Sequence, residues 1–170
     1  MNKRIQLIMR VNEQAGHQDF YEQSQKFGML AVESFKGEQN QERHRSQMTG
    51  LENIAETTLK VTDVLDFIKK QTAQQRVQRG KEAQGWKKKV GEKGELFGEL
   101  LINHIKDGLQ PFINDVCLDF IDSATQQGKR ERQEAHLELV RQFIRQLVVR
   151  YEYEMALREE KSRVEGEAKV

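Results

Sequence analysis

The chain has 170 residues, 36% of them hydrophobic and 32% charged, with a formal net charge of +1. That apolar share is low for a self-contained globule and suits long thin helices, or burial completed by a partner, while the near-neutral total singles out no class of partner. The lone cysteine, Cys117, excludes an internal disulfide framework and any multi-cysteine metal site, and no stretch approaches the ~20 apolar residues that a membrane span needs.

Gln, Glu, Lys and Arg abound, and Pro111 is the only proline. Composition therefore favours an all-α protein. The expected architecture is an antiparallel bundle of five or six amphipathic helices over residues 1–155. A polar C-terminal extension, 156–170, is expected to be helical or disordered.

At the N-terminus two patterns compete. Ile5, Leu7, Met9 and Val11 alternate like a strand, whereas Ile5, Ile8 and Asn12 line one helical face. Helix is preferred, because a strand here has no partner unless 147–153 is also extended. The opening MNKRIQLIMRV has its apolar run broken by Gln6 and Arg10 and makes a poor secretory signal. A soluble, cytoplasmic protein is expected.

Gly16, Gly37, Gly80, Gly108, Gly128 and Gly166 each follow a stretch with helical spacing and read as stop signals. Asp19 with Glu22, and Thr49 with Glu52, have capping-box spacing. Pro111 suits a first helical turn. Residues 36–49, KGEQNQERHRSQMT, hold one apolar side chain, Met48, and read as a mobile loop or a polar start to the next helix.

Over 50–79, Leu51, Ile54, Thr58, Val61, Leu65, Ile68 and Thr72 alternate spacings of three and four, a heptad seam about three repeats long. Leu59, Val64 and Phe67 widen the face, as in helices packed inside a globule. The alternative is a helix that pairs between chains, with Leu51, Ile54, Val61, Leu65 and Ile68 as its interface.

Residues 80–94 read GKEAQGWKKKVGEKG and hold the only tryptophan, Trp86. Gly80 and Gly85 have the spacing of a phosphate-binding loop. That motif needs Lys and Ser/Thr directly afterwards, and here Trp86 and Lys87 follow, so no hydroxyl is placed for magnesium. Charge is concentrated around the same stretch. Lys69, Lys70, Arg76, Arg79, Lys81, Lys87, Lys88, Lys89 and Lys93 face only Glu82 and Glu92, a net +7 against −6 for the rest. Such a patch suits phosphate contacts. An accessible Trp86 would add base stacking of ~1–3 kcal/mol.

Three further helical segments follow. Leu96, Phe97, Leu100, Leu101 and Ile105 mark 95–107. Phe112, Ile113, Val116, Cys117, Phe120, Ile121 and Ala124 mark 110–127. Leu139, Val140, Phe143, Ile144, Leu147, Val148, Tyr151 and Met155 mark 129–165, whose apolar part ends near Met155.

No catalytic constellation emerges. His17, His44, His104 and His136 form neither Glu-x-x-His nor His-x3-His. Glu13 with His17, and His104 with Asp107, are ordinary helix-surface pairs. Cys117 sits among Ile113, Phe120 and Ile121 with Asp115 and Asp119 nearby, surroundings that raise a thiol's pKa and leave it inert. Glu159 and Glu160 lie in the polar tail. No metal or cofactor is expected. The reading is a non-catalytic helical subunit or adaptor that works by contact with other protein subunits, or with itself as a homo-oligomer. The alternative is a small subunit of a nucleoprotein complex that holds RNA or single-stranded DNA through residues 69–93.

Overall fold

The computed structural model describes residues 1–37 and 41–170, and the side chains of all of these except 41–44. It is an all-α helical bundle. Its helices are α1 (Lys3–Ala15), α2 (Gln18–Phe35), α3 (Gln41–Thr57), α4 (Val61–Gln74), α5 (Phe97–Asn103), α6 (Gln110–Cys117) and α7 (Gln126–Glu167). Two short strands, β1 (Lys89–Val90) and β2 (Glu95–Leu96), form an antiparallel hairpin before α5. No helix among the described residues is long and apolar enough to cross a membrane.

The 42-residue α7 is the spine. Its buried face runs from Gly128 to Tyr151 and carries Leu139, Val140, Phe143, Ile144, Leu147 and Val148 at helical intervals. α1, α2, α3, α4 and α6 pack directly on it. The antiparallel packing holds for α3 and α6. On α3, Glu56 meets Arg145 and Arg45 meets Glu159; the chain entering α6 meets His136 at Ile105 and then, on α6, Asn114 accepts from Arg132. By contrast, α1 and α2 follow α7 in its own direction, from Lys3 at Glu131 to Ser24 at Gln146.

The N-terminal segment is helical, as the helical pattern predicted, and buries Leu7 and Val11. Polar residues 41–49 open α3, whereas 38–40 and the side chain of His44 lie outside the described residues. The predicted segment 50–79 is broken between α3 and α4. At the break, Thr58 Oγ1 accepts from the Lys60 backbone N–H and donates to Asp63. Arg141 of α7 donates to the carbonyls of Ala55 and Thr58 at 2.9 and 2.7 Å. A long-range arginine thus satisfies one orphan acceptor in the last turn of α3 and one in the turn that follows it. Leu59 is left 87% exposed in the turn, not widening a helical face.

The capping boxes do not form. Asp19 lies inside the first turn of α2, and Thr49 lies mid-helix in α3. Side-chain caps come instead from Asn2 on α1 and Thr125 on α7. Gly108 closes the π turn that prolongs α5, so the helical stretch does end there, whereas Gly128 lies in the first turn of α7 and is not a stop. Pro111 does sit in the first turn of α6. That helix ends at Cys117, short of the predicted 127, and Asp119 then takes φ 55°. Phe120, beyond the helix, lies under the Arg10 guanidinium with 4.4 Å to the ring centroid. The polar extension continues α7 as helix to Glu167.

Candidate nucleic-acid interface

The basic segment is an edge anchored to the bundle. It begins on the last turns of α4 and crosses the surface without regular structure, turning at Arg79–Gly80, where the Lys81 N–H donates to Gln78 O at 3.0 Å. A single 3₁₀ turn, Gly85–Lys87, brings it to the β1–β2 hairpin. Trp86 is the anchor, at 1% exposure. Its ring stands edge-on to Phe35 of α2 (centroids 5.6 Å) and to Phe67 of α4 (6.5 Å). It lies tilted on Phe97 of α5 at 5.7 Å. Its Nε1–H donates to Gln47 Oε1 of α3 at 2.8 Å. A buried indole N–H with a partner avoids the cost of desolvation. Trp86 therefore offers no face to an unpaired base; burying a large ring among four helices outweighs leaving it as a stacking platform.

Gly85 shows how the chain enters this plug. It is buried with φ 67°, a left-handed conformation that costs residues with a Cβ ~1 kcal/mol or more. After the plug, Lys89 pairs with Leu96 and Val90 with Glu95. The Phe97 N–H donates to Lys88 O at 2.9 Å and closes the hairpin onto α5. Val90 is buried and Lys89 exposed, as alternation along a strand requires.

The predicted cations are distributed along this edge. Lys69 and Lys70 are on α4, Lys69 beside Asp66 at 3.6 Å. Arg76, Arg79 and Lys81 are exposed on the irregular stretch, Lys87 is half-buried, and Lys89 and Lys93 are exposed on the hairpin. Lys88 differs: its side chain is 17% exposed and binds Glu82 at 2.6 Å. That contact holds the Glu82 carboxyl below its ordinary range, through the Lys88 hydrogen bond and then its charge. Lys70, Arg76, Arg79, Lys81, Lys87, Lys89 and Lys93 pair with no described carboxylate.

The candidate interface residues of the heptad seam divide between α3 and α4. Leu51 and Ile68 are fully enclosed, and Val61 and Leu65 are half-buried against the same core, as is Ile54 by exposure. The chain's own helices cover Leu51 and Ile68, while Ile54, Val61 and Leu65 stay partly exposed.

α5 runs into a π turn, His104–Gly108, in which the Leu109 N–H reaches back to His104 O at 3.0 Å. The wide turn leaves Ile105 O facing His136 Nε2 at 2.8 Å. A carbonyl only accepts, so Nε2 is the protonated nitrogen. His104 lies between Phe27 and Phe143, with ring centroids at 4.6 and 4.7 Å. Burial, helped by Lys26, lowers its pKa to about 4. No spacing rule marks a π turn beforehand; only the four-residue interval from His104 to Gly108 hints at close contact. Cys117 is buried, and burial raises its thiol pKa.

No protein-family model, no curated protein and no solved structure matches this chain.

Proposed function

We propose that this protein is a non-catalytic helical subunit of a larger assembly, and that it grips nucleic-acid backbone along the 69–93 edge. One observation carries the reading. A tryptophan plug and a closed hairpin hold a +7 segment in place, so its unpaired cations are presented without the entropy cost of ordering a loose loop. With Trp86 buried, the contact is to phosphates, so affinity follows counterion release and not base identity.

Filter binding of single-stranded RNA and DNA across a salt series tests this. Four or five phosphate contacts give a log–log salt slope of about −3. Replacing Lys81, Lys87 and Lys89 together with Glu should lower affinity at least tenfold and flatten the slope, with the circular-dichroism spectrum unchanged. Undiminished binding by that variant removes the edge as the site. If neither nucleic acid binds the parent protein, the reading reverts to a subunit whose partners are proteins alone.

A further inference from the structure

Beyond α1, the spine helix carries a second, uncovered apolar face. Val149, Tyr153, Leu157 and Val164 are 60%, 59%, 44% and 55% exposed. At about 100° per residue they fall within an arc of roughly 80°. This is the same face that α1 covers lower down, where Asn12 meets Gln142 at 3.2 Å and the Ala15 carbonyl meets Gln146 at 3.0 Å. α1 stops at Ala15, and α2 takes up one flank of α7, where Gly28 lies against Arg150. α3 holds the other flank through Arg45 and Glu159 at 3.0 Å. From Val149 onward no described helix continues the line of α1.

We propose that this face binds the α7 of a second copy, antiparallel, in a two-fold symmetric dimer. Charge pattern selects the occupant and the register. Glu152 and Arg163 lie on one flank of the stripe, Glu154 and Lys161 on the other. In an antiparallel helix pair, like flanks face each other. With the crossing centred between Leu157 and Arg158, Glu152 meets Arg163 of the second copy and Glu154 meets its Lys161. Symmetry makes each pair twice. The third pair in that register, Arg150 with Glu165, is also of opposite charge, and Arg150 already bonds Glu154 at 2.8 Å. The same register seats Tyr153 between Glu160 and Val164 of the second copy, where its hydroxyl can donate to the Glu160 carboxylate. Val164 enters between Val149 and Tyr153. A parallel, in-register pair would instead set Glu160 against Glu160 within the stripe, which like-charge repulsion disfavours.

Sedimentation velocity on the full chain over a concentration series tests the dimer, and none of the residues concerned lies in 69–93. A reversible monomer–dimer equilibrium is expected. Leu157→Asp, at an exposed position, should weaken it at least tenfold with helicity retained. Glu152→Arg alone and Arg163→Glu alone should each weaken it, and the double variant should restore it. A protein monomeric at every concentration overturns the proposal. So does a dimer that Leu157→Asp leaves intact, or one that the double charge exchange fails to restore. Longer oligomers broken by Ile5→Asp would assign the stripe to the exposed face of α1 instead.

Discussion

The indole of Trp86 donates its N–H to Gln47 Oε1 at 2.8 Å across the gap between the basic segment and α3. This bond, with the Phe35, Phe67 and Phe97 rings, makes one side chain the joint between a charged edge and the bundle. Truncation should cost more than a surface change. Trp86→Ala is expected to lose about 3–5 kcal/mol in urea unfolding. In the parent, emission of this single tryptophan should be blue-shifted and shift to the red on unfolding. Gln47→Leu leaves the indole N–H unpartnered and should cost about 1–3 kcal/mol. A Trp86→Ala protein as stable as its parent would show that the plug does not anchor the segment.

Gly28 marks the closest approach of α2 to α7. A Cβ there would lie 2.6 Å from Arg150 Cβ and 2.9 Å from the Leu147 carbonyl oxygen. The second neighbour is backbone and cannot rotate away. Gly28→Ala should therefore push the helices apart and cost about 1–3 kcal/mol, even though alanine favours helix by nearly 1 kcal/mol over glycine. A thermal melt decides between the two effects. A raised midpoint would mean the helices have room to separate freely.

Arg141 closes the end of α3 from across the bundle, and Glu138 holds its guanidinium from the next turn. Arg141→Ala should expose the last amides of α3 and the 58–60 turn to faster hydrogen exchange. A stability loss of about 1–3 kcal/mol should accompany it. Arg141→Lys should recover only part of this, because an ammonium cannot match the planar fork that reaches two carbonyls. Equal exchange in all three proteins would show that the turn is set by Thr58 and Asp63 alone.

The same residues show what the sequence could and could not convey. Helical periodicity was legible wherever one face is buried, as at Leu139–Tyr151 on α7, because burial imposes a 3.6-residue rhythm on the chain itself. The break at Thr58–Lys60 was not, because half of what sets it is Arg141, more than eighty positions away. The cations of 69–93 were plain from composition, whereas the fate of Trp86 depended on the pocket formed by α2, α3, α4 and α5. Glycine is ambiguous for a similar reason. Gly16 ends a helix, but Gly28 and Gly128 serve close packing inside helices, and local sequence does not separate these uses.

His104 gives the protein a pH dependence whose sign follows from its burial. Its ordinary pKa is 6.5, and between Phe27 and Phe143 it falls to about 4. Below pH 6.5 the unfolded chain takes up a proton that the folded chain refuses until about pH 4. Stability is therefore fully present above pH 6.5 and declines as pH falls toward 4. His136, also lowered by burial, acts in the same direction, and its bond to Ile105 O moderates the effect. Urea midpoints measured from pH 7.5 to pH 4.5 should fall with acidification. His104→Gln, which cannot titrate, should lower stability at pH 7.5 but flatten the decline between pH 6.5 and 4.5. An unchanged slope in that variant would assign the acid sensitivity to other groups. The first to examine would be His136, whose ordinary pKa is also 6.5 and is lowered by burial; Glu131, whose carboxyl Lys3 holds below its ordinary 4.5, loses its contribution only at lower pH.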